Sequence, residues 1–183
     1  MLPSLPPASG LHPLIVHFPV ALLLIAPLLI VLSIVLKRQR IGLAVGALVL
    51  MALGTAAAFV AVSTGNLAGE LAERTPQIAA TLERHESLAE TTRTVFALLT
   101  VMFVVMFGAP LVRRREWSNV LYVSLSIVFL VFYAAGTVTL VNTAHLGGQL
   151  VHRYGVHAML GPEGTAASTA PATGDRDDDD HDR

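Results

Sequence analysis

The sequence predicts an all-α fold: an integral membrane four-helix bundle, both termini outside, with an extra-membrane helical loop between helices 2 and 3. Three observations carry that prediction. First, residues 18–36, 41–62, 94–112 and 120–141 contain no Lys, Arg, Asp or Glu. A hydrocarbon core of about 30 Å needs roughly 20 apolar residues at 1.5 Å each, and each of these segments supplies them. Second, only 14% of the 183 residues are charged, where a soluble domain carries about 25%. Third, the charges that exist sort by loop. Lys37, Arg38 and Arg40 follow the first span, and Arg113, Arg114 and Arg115 follow the third against a single acid, Glu116. Short basic loops stay in the cytoplasm. The loop between spans two and three carries five Glu, and the segment after span four carries seven acids. Those parts belong outside.

The first span begins without the basic n-region of a signal peptide, because Met1 to Leu11 holds no Lys or Arg. It reads as a retained anchor. The second span holds Gly42, Gly46, Gly54 and Ala58, small residues at four-residue spacing that let helices approach closely in lipid. The third helix is expected to start above the membrane. Thr75-Pro76 has the form of an N-cap followed by Pro at the first helical position. Ile78, Leu82, His85, Ala89, Thr92 and Phe96 then recur at steps of three and four, which is one helix face. A separate short interfacial piece is expected near residues 67–73. Gly147-Gly148 either ends the fourth helix or lets a backbone come very close to something. The four-helix domain is read as residues 1–160. Residues 161–183, rich in Gly, Ala, Ser, Thr and Pro and closing on an Asp run, read as a disordered acidic tail.

Chemistry in this chain is limited to histidine. There is no cysteine, hence no thiolate metal site, iron–sulfur cluster or covalent haem attachment. The net charge of −1 and the lack of a basic face exclude nucleic acid as a partner. Ser63-Thr64-Gly65-Asn66 is no nucleophile elbow, so a hydrolase is a poor reading and no catalytic residue is assigned. Six of seven histidines fall near the outer ends: His12, His17, His85, His145, His152 and His157. An ionisable group at membrane depth faces the bundle or is paired. On that ground His17, at the head of span one, and His85, on the apolar stripe, are candidate ligands. His145 and His152 flank Gly147-Gly148 and share a face if the helix continues. Height estimates from the basic loops make His85 and His145 the best-matched pair, with His17 and His152 as a second. His12, five residues before His17, reads as a surface or capping residue.

Leu11-His12-Pro13-Leu14-Ile15-Val16-His17-Phe18-Pro19-Val20-Ala21-Leu22 resembles the HPLxVHFPIAL opening of a bacterial family of small four-helix membrane proteins, a domain of unknown function. Arg84-His85-Glu86 and His145-Leu146-Gly147-Gly148-Gln149-Leu150-Val151 are similar to its other two motifs. A related module in planctomycete membrane proteins that also carry cytochrome c domains reads His-x-Gly-Gly-x-Leu-Thr-His, its last histidine matching His152. The resemblance covers roughly residues 10–160. It implies the four-helix topology and, through redox neighbours, a b-type cytochrome or quinone-linked role.

The first functional reading is therefore a b-type haem electron-transfer subunit of the bacterial inner membrane, ligated near its periplasmic face by histidines drawn from His17, His85, His145 and His152. Electrons would pass between a periplasmic redox protein and quinol or a membrane partner. A second reading is a histidine site for bare copper, zinc or iron, for which imidazole is suited. A third is a non-catalytic subunit or scaffold in a membrane complex or homo-oligomer. None of the three requires an enzyme.

Overall fold

The computed structural model describes residues 8–72, 75–108 and 118–156. Among these residues the chain is helical throughout, with no strand. The expected acidic tail and the second basic loop, with Arg113, Arg114 and Arg115, lie outside the described residues. The helices are α1 (Ala8–Ile15), α2 (His17–Val35), α3 (Arg40–Glu70), α4 (Pro76–Phe103) and α5 (Asn119–His152), with a 3-10 turn at Lys37–Gln39 and a π-helical turn at Val104–Gly108. Four stretches are long and apolar enough to cross a membrane: Gly10–Val35, Lys37–Glu70, Pro76–Gly108 and Asn119–His152. The all-α four-helix reading therefore holds. At 1.5 Å per residue, the 34-residue α5 is about 50 Å long, more than a bilayer core needs. In α3, α4 and α5 the uncharged segment stops short of the end that carries the histidines.

Each span packs on its neighbours in chain order, and α2 closes the ring against α5. The core is a column of Leu23, Ala26 and Ile30 from α2, Ala47 and Met51 from α3, Phe96, Leu99 and Phe103 from α4, and Phe129, Tyr133 and Leu140 from α5. Aromatic edges meet along it, with Phe96 and Tyr133 centroids 5.3 Å apart and Phe103 and Phe129 5.1 Å apart. Outward residues are large and apolar, among them Leu28, Val35, Leu53, Leu98, Val131 and Phe132. That surface suits lipid, where no water penalises it.

Prolines shape the first span. Pro19 lacks the N–H that would bond the Ile15 carbonyl, and helical structure breaks there, between Ile15 and His17. Pro27 withholds the donor due to the Leu23 carbonyl. The Tyr133 hydroxyl donates to that carbonyl at 2.7 Å. In hydrocarbon each such backbone group must be satisfied internally, so the tyrosine makes the proline tolerable. Hydroxyls also bind helix to helix: Thr55 to Thr100 at 3.0 Å, Thr92 to Thr143 at 3.0 Å and Ser33 to Tyr122 at 2.7 Å. At the basic end Arg40 lies over the Tyr122 ring, 4.2 Å from its centroid, and donates to Asn119.

One sequence expectation changes. Residues 67–70 are no separate interfacial piece; α3 runs unbroken to Glu70, because its last turns still pack on α4 and on the ring of His12. Of the two readings of Gly147-Gly148, the close approach holds: the last helix continues to His152. The expected start of α4 also holds: it begins at Pro76, with the Thr75 side chain accepting from the Ile78 N–H.

Candidate functional site

The site is built from two helix-on-helix contacts at the end of the bundle where the chain enters and leaves. In α1, which the Pro19 break separates from α2, His12 is carried against the last third of α3. Its Nδ1 donates to the Ala61 carbonyl at 3.0 Å, with Thr64 Oγ1 at 3.3 Å. Its ring lies over Gly65, where a Cβ would sit 2.8 Å from His12 Cε1. In α4, His85 stands on the buried stripe of Ile78, Leu82, Thr92 and Phe96. Its Nδ1 donates to the Thr143 carbonyl of α5 at 3.0 Å. Its ring lies over Gly147, where a Cβ would meet Cε1 at 3.1 Å. A Cβ at either place would press on the imidazole, harder at Gly65 than at Gly147.

Both rings are half-buried. His12 faces α3 and His85 faces α5, each through its own backbone carbonyl. A carbonyl can only accept, so Nδ1 carries the proton in both rings, and in the neutral imidazole Nε2 then carries the lone pair. Hydrogen bonding at one ring nitrogen orients the other and raises its basicity as a ligand. In both rings Nδ1 is held by a backbone carbonyl, and in the neutral form Nε2 presents its lone pair as a ligand.

Residues 8–159 match the family described as “Predicted membrane protein (DUF2231)”. The chain belongs to the DUF2231 family. That match takes in all four spans and both histidines of the pair. No curated protein and no solved structure matches the chain.

The remaining histidines of this DUF2231 chain sit elsewhere. His17 is exposed, and its Nδ1 donates to the Pro13 carbonyl one turn back, at 2.7 Å. His145 is exposed, and its Nε2 accepts from the Gln149 side chain at 2.9 Å. His152 is exposed at the end of α5. Of the four expected ligands, His85 alone is brought into the interior. The helix does continue past the glycines, so His145 and His152 share a face, but that face is turned outward. His157 lies outside the described residues. Among the described residues no group of three or more His, Cys, Asp or Glu side chains is gathered as a metal site.

Sequence reasoning passed over His12. A signal for it existed: His12, Pro19, Leu23, Ala26 and Ile30 fall at steps of seven, four, three and four, and the last four are buried. That is the stripe facing the bundle, and His17 lies off it. Beside the pair, Asn66, Glu70, Glu83, Glu86, Ser87 and Glu90 line an open crevice of about 440 Å³ between α3 and α4.

Proposed function

We propose that this DUF2231 protein is a b-type haem-binding electron-transfer subunit, in which His12 and His85 would hold the haem iron. The observation that supports this reading is the donor set. Two imidazoles come from separate helices, each with Nδ1 committed to a carbonyl and Nε2 free. A haem iron needs two axial ligands and takes its other four nitrogens from the porphyrin. A bare copper, zinc or iron ion would need three or four protein donors, and among the described residues no group of three is found. His85 keeps its place from the sequence reading. His12 takes the place of His17, His145 and His152 as its partner.

When bound, haem supplies a one-electron ferric/ferrous couple. The chain's own residues set its surroundings. The carbonyls of Ala61 and Thr143 fix the plane of each ring and its tautomer. Gly65 and Gly147 let the rings approach α3 and α5 closely. Thr64 and the half-buried setting control how much water reaches the pair, which tunes a redox potential. The charge pattern orients the site toward the periplasm, with both chain ends on that side and Arg40 toward the cytoplasm. The acidic crevice beside it suits a basic periplasmic redox carrier, since charge of opposite sign steers encounter. Quinol is the membrane-side donor or acceptor in this reading.

The test is an optical spectrum of the purified protein, expressed with haem supplied, before and after dithionite, with a pyridine haemochrome assay. A Soret band with a sharp α band on reduction is expected. A colourless protein overturns the reading, and metal analysis then decides between a bare ion and a scaffold.

A further inference from the structure

The two halves of the chain make the same contacts with different residues. His12 and His85 differ by 73 in number, and so do the partners of two glycines that face each other in fold position. Gly54 is met by Leu22 and Leu23, and Gly136 by Val95 and Phe96 as well as Leu99. On the second helix of each half the shift is 82. It takes Ala61 to Thr143, Gly65 to Gly147 and Gly54 to Gly136. The buried stripes follow the same shifts. Pro19, Leu23, Ala26 and Ile30 map onto Thr92, Phe96, Leu99 and Phe103. Ala47, Met51, Gly54 and Ala58 map onto Phe129, Tyr133, Gly136 and Leu140. The two shifts differ by nine because the second basic turn is nine residues longer.

Few of these pairs are identical, which hides the repeat in the sequence. Most core positions are larger in the second half: Phe for Leu, Phe for Ile, Phe for Ala and Tyr for Met. Large side chains of one half fill the space left by small ones of the other. Both halves run in the same direction through the membrane, so they are parallel repeats related by an axis along the membrane normal. Histidine and glycine are kept at both copies of the same place.

We infer that the histidine pair is a two-fold site: His12 and His85 are equivalent residues that would hold one shared haem per chain. This rests on the haem reading for the identity of the group. It adds that the two ligands are equivalent, and that the group joins the α1–α3 half to the α4–α5 half. The alternative within the haem reading is unequal: two haems, or one histidine that ligates while the other only packs.

The experiment compares the full-length haem protein with His12→Gln, His85→Gln and the double variant. Glutamine keeps an N–H for the Ala61 or Thr143 carbonyl and is a poor iron ligand, so folding is preserved. The expected results are one haem per chain in the wild type and a six-coordinate low-spin spectrum. Each single variant converts to the five-coordinate high-spin form to the same extent, and added imidazole restores the low-spin form. The double variant retains less than a tenth of the haem. Haem binding raises the unfolding temperature of the wild type and does so less in either single variant. Two haems per chain, or a low-spin spectrum surviving in one single variant, overturns the two-fold site while leaving the haem reading intact. A colourless wild type overturns both.

Discussion

Gly147 and Gly148 are neighbours in the chain and opposites in space. A Cβ on Gly147 would meet the His85 ring at 3.1 Å, whereas one on Gly148 would meet nothing within 4 Å. Gly147→Ala is expected to displace the ring and cost about 1–3 kcal/mol, as overpacking does. Gly148→Ala is expected to be neutral or to stabilise by up to about 1 kcal/mol, the usual helix preference for Ala over Gly. Detergent-solubilised unfolding of the two variants checks this, and equal effects would refute the close approach. The same contrast explains what could be read from the residues. A Gly-Gly pair announces either a helix end or a close approach, and sequence alone leaves both open. His85 was legible because its stripe is dense, with apolar residues one turn away on each side. His12 was not, because Pro13 and Pro19 obscure the helical phase that puts it on the stripe.

At the scale of the element, the kinked first span depends on another helix. Pro27 removes a donor from α2 and Tyr133 of α5 returns one to the Leu23 carbonyl. Tyr133→Phe should therefore cost about 1–3 kcal/mol, the range for orphaning a buried polar group. In a Pro27→Ala background the backbone N–H is restored and the same change should cost much less. A double-mutant cycle on thermal unfolding in detergent reads the difference, and additive effects would show that the tyrosine acts by packing alone. Helix beginnings were easier to read than helix interiors. Thr75-Pro76 is a local signal, since cap and first-turn geometry involve only adjacent residues. The end of α3 was not legible for the opposite reason: its last turn packs on Leu82 and Glu86, from a distant part of the chain.

For the whole molecule the basic loop at Lys37, Arg38 and Arg40 predicts which way it faces. The chain has no cysteine, so single introduced thiols report sidedness cleanly. Leu14 and Gln39 are both exposed, at opposite ends of the first span. Leu14→Cys should react with a membrane-impermeant maleimide on intact cells, and Gln39→Cys only after permeabilisation. The reverse pattern would move the histidine pair to the cytoplasmic side and remove a periplasmic carrier as its partner. The redox spectrum and the paired glutamine variants belong to this scale too, because a haem shared by His12 and His85 would couple both halves of the bundle.

The sequence by itself determined that the chain spans a membrane four times, which loops are basic and which acidic, where α4 begins, and that histidine is its only strong ligand. Those follow from composition, hydropathy and local capping, each readable over a few neighbouring residues. The tertiary structure alone decided which histidines turn inward, that two glycines receive them, and that the halves share matching contacts residue by residue. Nearly every side of a transmembrane helix is apolar, so the inward face carries little contrast in the sequence. It is fixed instead by packing against helices tens of residues away, through volumes that differ between the halves while the contacts stay the same.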